Sequence, residues 1–320
     1  MASFNVLNLD PTDDAQKFDN LAAQIVDDLN TPDIIGLQEI QDNNGPTDDG
    51  TVDADQTLQA LIDAIADAGG PTYQYVDNPP VDGDNGGQPG GNIRNAFLYD
   101  PSRVTLTGPT GQLPGADLEP AFDGGRDPLV ATFAFNGETL TLINNHFSSK
   151  AGSDPLFGED QPPLNGGETA VVGDPAGRIP QAQFVNDYVD TLLAGDPDAH
   201  VIVLGDLNEF QFEDALLTLQ GMGGDQVLHN LVDLISDDTD KYSFVFEGNS
   251  QLLDHILASH ALQGLAEYDI VHTNTGFAYP TQLLTSDHDP LVARFEIPEP
   301  ASLAILGVGS MLVLRRRRAA

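Results

Sequence analysis

The chain has 320 residues, 40% of them hydrophobic, which is enough for a buried core and too apolar for a disordered chain. Fifty acidic residues stand against twelve basic ones, a formal charge of −38, and four of the basic residues are the run Arg315 to Arg318, leaving eight in the body. So acidic a surface repels bare polyanions at low salt unless a divalent cation and a few placed arginines reverse the local field, and the absence of cysteine excludes disulfide partners, thiolate nucleophiles and cysteine-based zinc sites.

FNVLNL (4–9) alternates like a half-buried strand, and over 15–29 Phe18, Leu21, Ala22, Ile25 and Leu29 recur at helical spacing. PDIIGLQEI (32–40) is an apolar strand, followed by an acidic, glycine-rich loop to about Asp55 and a helix near 57–67. TYQYV and RNAFLYD read as strands on either side of the loop 77–92. Within it, VDGDNG (81–86) suggests calcium, but the twelfth position counted from Asp82 is Ile93, where an EF-hand needs glutamate, so adventitious cation binding is the better reading. Strands at 129–136 and 139–146 meet at the turn NGE, and an irregular segment (148–176) precedes a helix near 178–194. HVIVLGDLN (200–208) is a buried strand, and strands at 242–247, 252–258 and 291–297 close the body. Strands alternating with helices and no internal repeat predict one layered α/β (α+β) domain over 1–297.

Residues 298–320 form a separate tail. Pro-Glu-Pro at 298–300, an uncharged run from Ala301 to Leu314 and the arginine run together resemble a PEP-CTERM sorting tail. The apolar run is shorter than the roughly 20 residues of a stable span, so membrane contact through it is transient. The resemblance implies export to the surface or medium and handling by an exosortase-type enzyme. MASFNVLNLD has neither a basic nor an apolar leader region, so export requires a start upstream of Met1 or a trimmed chain.

Apolar strands in this sequence repeatedly finish in polar residues. Asn5 lies in the first strand, Glu39 ends the second, His146 ends TLINNH, and Asp206 and Asn208 end VIVLGDLN on one side of an extended chain. Asp254 lies in LLDHILAS, and Asp287 and His288 come late, in TSDHDP. Each alone is as well explained by a turn or a cap. Together they suit hydrolysis of a phosphate ester, with one hard divalent cation on oxygen ligands and a histidine backed by a carboxylate. Asp287 is a poor partner for His288, because neighbours in extended chain face opposite sides, so Asp254 is the candidate.

GLQEI, NNHFSSK, VLGDLNEF, LLDHILAS and TSDHDPL, in this order, resemble the endonuclease/exonuclease/phosphatase superfamily, which includes pancreatic deoxyribonuclease. FNVLN, DPLFGEDQPP (154–163) and HTNTGFAYP (272–280) make the chain most similar to its bacterial secreted nucleases. The resemblance implies a four-layered sandwich of two packed mixed sheets flanked by helices, and an enzyme dependent on Mg2+ or Mn2+, with Ca2+ as a structural ion. It implies Glu39 as the principal metal ligand with Asn5 beside it and Asp287 near the metal. It makes Asp206 the group that positions or deprotonates water, and Asn208 a phosphate ligand. Asp254 would orient His288, which contacts or protonates the phosphate. His146 would stand near the leaving oxygen, with Asp77 the nearest guess for its carboxylate. Arg94 matches a phosphate-contacting arginine, and Lys150 is the one cation in NNHFSSK. The expected substrate is nucleic acid, cut by in-line attack of water. The same fold serves phosphomonoesters or phospholipid head groups, and a non-catalytic, cation-binding surface protein is the remaining alternative.

Overall fold

Alternation in the first strand sends Ala2, Phe4 and Val6 into one apolar layer and leaves Ser3 and Asn5 to face the other way. The same period-two logic runs through a structure, a computed structural model, that describes residues 1–84, 88, 90–116, 119–150, 177–275 and 285–298. DPLFGEDQPP, part of HTNTGFAYP, the end of VDGDNG and the tail from 299 onward lie outside the described residues. In chain order the strands are β1 (Ala2–Leu9), β2 (Ile34–Ile40), β3 (Gln74–Asp77), β4 (Arg94–Tyr99), β5 (Thr105–Leu106), β6 (Gly111–Gln112), β7 (Leu129–Phe135) and β8 (Glu138–His146). They continue with β9 (His200–Asp206), β10 (Leu228–Asn230), β11 (Phe244–Phe246), β12 (Asn249–Gln251), β13 (Asp254–Ser259), β14 (Ala266–Ile270) and β15 (Leu291–Phe295). The helices are α1 (Ala15–Ala23), α2 (Asp55–Asp67), α3 (Arg178–Gly195), α4 (Asp214–Leu219) and α5 (His260–Gln263).

One sheet runs β14-β15-β1-β2-β4-β3 and the other β10-β13-β9-β8-β7-β5, with β6 also on β7. Both are mixed: β1 pairs parallel with β2 and β8 with β9, and the neighbouring pairs are antiparallel. Between the sheets, Ile34, Phe97 and Tyr99 meet Phe133, Leu142, Leu204 and Ile256, and Phe97 and Phe133 touch edge to face across the gap at 6.2 Å. Each large side chain fully withdrawn from water there contributes about 1.5–3 kcal/mol. Helices α1 and α2 cover the outer face of the first sheet, α3 and α4 that of the second. The expected four layers are present.

Two features fix how the sheets meet. Gly36 of β2 lies where any Cβ would strike the Leu204 side chain of β9, so a bare backbone is needed for the sheets to close. Beside it a buried amide bridge ties them in register: Gln38 Nε2 donates to Asn144 Oδ1 at 2.6 Å, and Asn144 Nδ2 donates to the carbonyls of Leu37 and Ala96, each at 2.9 Å.

The helix expected over 15–29 is α1 plus a π turn, Gln24–Asp28. The wider turn lets buried Gln24 donate to Asn274 Oδ1 at 2.8 Å, close to the chain that carries His288. Strand β14 and helix α4 were not anticipated: AEYDI offers only half-buried alternation, and a six-residue helix carries too little period to detect. No helix among the described residues is long and apolar enough to cross a membrane.

Candidate active site

Parallel pairing puts the C-terminal ends of β1 and β2 together, and those of β8 and β9 together, on one edge of the sandwich. In the second sheet the registers are His146 opposite Asp206 and Asp206 opposite Asp254, so three adjacent strands present a histidine and two aspartates at one level. Gly205, just before Asp206, has φ +135°, and a Cβ there would run into the Asn145 carbonyl. A glycine is therefore required for β9 to lie against β8 at the residue that matters most. In the first sheet the pairing shifts at Glu39, which has φ +64°. Gln38 already points between the sheets, so simple alternation would turn Glu39 away. The bulge and left-handed backbone bring its carboxylate back to the common edge, at a cost a glutamate rarely bears elsewhere.

Across the gap Asn5 Nδ2 donates to Glu39 Oε1 at 3.0 Å and to Asp206 Oδ2 at 3.1 Å, joining the sheets at the site. Its Oδ1 accepts from Leu7 N–H at 3.0 Å, so Asn5 presents nitrogen rather than an oxygen donor to the cluster. Glu39 Oε2 accepts from Asn8 N–H at 2.9 Å. Asp206 Oδ1 accepts from Asn208 N–H at 2.9 Å, and Asn208, with φ +50°, donates its Nδ2 to the Phe147 carbonyl at 3.1 Å. His146 Nε2 lies 3.5 Å from Asp206 Oδ2 and 3.9 Å from Glu39 Oε1. His288 Nδ1 meets Asp254 Oδ2 at 2.7 Å, and its Nε2 faces Asp206 Oδ2 at 3.7 Å. Asp287 stands at the rim, its side chain 48% exposed, 4.0 Å from His288 Nε2.

The two histidines are in opposite electrical situations. Burial works to lower the pKa of His288, but the charges of Asp254 and Asp206 and the bond to Asp254 outweigh it and hold the ring well above its usual value. Burial lowers His146 well below the usual value, and nearby Arg126 and His288 push the same way. Burial also raises Asp206 to about 7 against the opposing pull of His288, with Asp254 and Glu39 adding repulsion.

Two sequence expectations part from the geometry. Arg94 is 1% exposed and is held by Asp77 at 3.2 Å and by the carbonyls of Asn92 and Val52, so its guanidinium braces the loop around β3 and β4 and does not point to the cluster. Asp77 therefore serves Arg94 and not His146, whose buried Nδ1 has no hydrogen-bond partner among the described residues. Lys150 pairs with Glu209, which also binds Arg178 at 3.0 Å.

Three residues were overlooked. Seven of the eight body cations are paired with carboxylates; Arg126 forms no ion pair among the described residues. It is buried, donates Nη2 to the Phe147 carbonyl at 2.6 Å, keeps a buried Nε with no partner among the described residues, and feels Asp206 and Glu39. Its signal was available in GGRDPL, since the scarcity that drew notice to Arg94 applies equally to Arg126. Ser243 Oγ donates to Asp254 Oδ2 at 2.6 Å, behind His288, and Phe244 packs on the His288 ring at 4.8 Å. Nothing in DKYSFVF advertises either contact.

Atoms of Glu39, His146 and Asp206 lie within 4.8 Å of one another, as do those of Asp206, Asp254 and His288. The donors fit a hard divalent cation: Glu39 and Asp206 converge with no lysine or arginine paired to either among the described residues, and burial already opposes the charge on Asp206. A cavity of about 780 Å³ lies at the opposite end of the strands, beside Met1, Ile34 and Leu140, and contains none of these groups.

The chain matches the model of the Endonuclease/Exonuclease/phosphatase family over residues 2–288. It belongs to that family. Its members are phosphoester hydrolases, and this chain is one of them. A second match, over 296–318, is to the PEP-CTERM protein-sorting motif. No curated protein matches the chain in sequence. Among solved structures, truncated TDP2 of Caenorhabditis elegans is 17% identical with a TM-score of 0.60, over 92% of this chain and 95% of that one. A mannosyl-6-phosphatase of Bacteroides thetaiotaomicron is 17% identical with a TM-score of 0.57, over 92% and 98%. TDP2 of D. rerio, solved with a single-strand DNA product, is 20% identical with a TM-score of 0.56, over 91% and 95%. At these identities the likeness is one of fold.

Proposed function

We propose that this family member is an exported, divalent-metal-dependent phosphodiesterase acting on nucleic acid. The observation that carries the reading is the meeting of Glu39 and Asp206 from two sheets, with a histidine on either side and, among the described residues, no lysine or arginine paired to those two carboxylates. Glu39 and Asp206 would hold the ion, Mg2+ or Mn2+, with Asp287 at the rim. When bound, it neutralises phosphoryl oxygens and the charge that develops on them. Asp206 takes the proton of the attacking water as the new oxygen–phosphorus bond forms. His288, kept protonated by Asp254, gives its proton to the leaving oxygen as that bond breaks. Neutral His146 offers hydrogen bonding through Nε2. Arg126 and Asn208 present donors to the non-bridging oxygens.

Plasmid DNA and single-stranded oligonucleotides incubated with purified protein and Mg2+ or Mn2+ should be cut, and chelator or Glu39→Gln should abolish cutting. Cutting that survives Glu39→Gln, or no hydrolysis of any phosphate ester, sinks the proposal.

The pairing of the other body cations with carboxylates favours a second reading, in which a compact phosphomonoester or lipid head group replaces a long polyanion. Parallel assays with sugar phosphates, sphingomyelin and oligonucleotides separate the two. The tail at 296–318 supports sorting by an exosortase-type enzyme, with membrane contact confined to the tail; fractionation of cells carrying Pro298→Ala/Pro300→Ala protein tests it.

A further inference from the structure

Beside the cluster lies a cavity of about 320 Å³, between the chain following Asn208 and the hairpin β11–β12. Its wall at Leu252 is two residues from Asp254, roughly 7 Å of extended chain, so a group attached to a phosphate at the site reaches it. Phe210 and Phe212 line it as a stacked pair, with centroids 5.6 Å apart and planes inclined by 23°. Among the described residues Phe212 is one of few large apolar side chains exposed on this acidic surface, at 36%. The Lys150 ammonium also lies over the Phe210 ring, 4.4 Å from its centre. Gln211 and Asn249 bring amide groups to the same walls.

A flat aromatic face, edges of amide donors and acceptors, and room for a single planar group match an unstacked nucleobase better than a duplex or a sugar. We propose that this cavity is a base subsite, in which Phe212 stacks on the nucleobase next to the scissile phosphate and makes single-stranded nucleic acid the preferred substrate. This rests on the phosphodiesterase reading of the neighbouring cluster and adds the substrate class to it.

The test compares a thymidine dinucleotide with the same phosphodiester carrying an abasic sugar, using the full-length protein and Mn2+. Wild type should favour the dinucleotide by about tenfold in kcat/KM, mostly through KM. Phe212→Ala should remove that preference while leaving turnover of the abasic diester unchanged, and Phe212→Tyr should retain it. Ser250→Trp, which fills the cavity from the hairpin, should also erase it and serves if Phe212→Ala fails to fold. Equal kcat/KM for the two diesters, or a preference that survives both Phe212→Ala and Ser250→Trp, overturns the base subsite while leaving the hydrolase intact. If neither diester is cut, the phosphodiesterase reading fails. Calorimetric titration with thymidine 5′-phosphate and deoxyribose 5-phosphate then decides the subsite alone: tighter, Phe212-dependent binding of the nucleotide supports it and equal binding overturns it.

Discussion

Asp206 is where function and stability oppose each other. Its folded pKa, about 7, lies above the ordinary 3.8, so between those values the folded state binds more protons and stability falls as pH rises. Asp206→Asn should therefore raise the melting temperature of metal-free protein at about pH 8 while lowering kcat by a thousandfold or more. An unchanged or lower melting temperature would show that the buried charge is better satisfied than this geometry indicates. His255 works with the opposite sign. Fully buried, it accepts from Asn230 Nδ2 and donates to the Glu209 carbonyl, each at 2.9 Å, and burial lowers its pKa to about 4. Unfolded chain then binds the extra proton, so its contribution is present above about 6.5 and lost as pH falls toward 4, about 3 kcal/mol in all. Denaturation at a series of pH values should show that slope in wild type and a shallower one in His255→Gln. For His288, the proposed proton donor, replacement by glutamine should cost far less on a nitrophenyl ester than on an alkyl ester, because a good leaving group needs no acid. Equal losses would assign the ring to phosphate binding instead.

At the scale of elements, the site depends on how strands end. The bulge at Glu39 and the bare backbone at Gly205 aim two carboxylates that simple alternation would place elsewhere or hold apart. Gly205→Ala meets both a left-handed φ and a neighbouring carbonyl, and should destabilise by several kcal/mol or prevent folding, as read from denaturant midpoints. The core strands and long helices were legible because apolar residues repeat at two or at 3.6, and because Phe18, Leu21, Ala22 and Ile25 all turn to one side. Short β10 and β12 carry no such repeat, and their place follows from pairing. The loop Phe147–Lys150 shows the same division. Its cation was visible, but not that Arg126 and Asn208 would both bind the Phe147 carbonyl, or that Lys150 would turn to Glu209.

For the whole molecule the charge of −38 sets the terms on which a polyanion arrives. Between about 0.01 and 0.15 M ionic strength the Debye length falls from roughly 30 to 8 Å, and repulsion by distant carboxylates fades. Hydrolysis of long single strands should therefore quicken over that range at fixed Mn2+, opposite to a basic nuclease. A steady decline would mean that attraction at Arg126 outweighs the body's field. The sequence by itself determined the layered α/β body, the strand-end positions of Glu39, His146, Asp206, Asp254 and His288, and the sorting tail, because periodicity, polar residues closing apolar runs and composition are local properties of a chain. Tertiary structure alone decided which cation faces the carboxylates, which aspartate serves which partner, and that two phenylalanines line a cavity beside the site. Those are matters of distance between segments up to two hundred residues apart, and only the closing of one sheet on the other sets them.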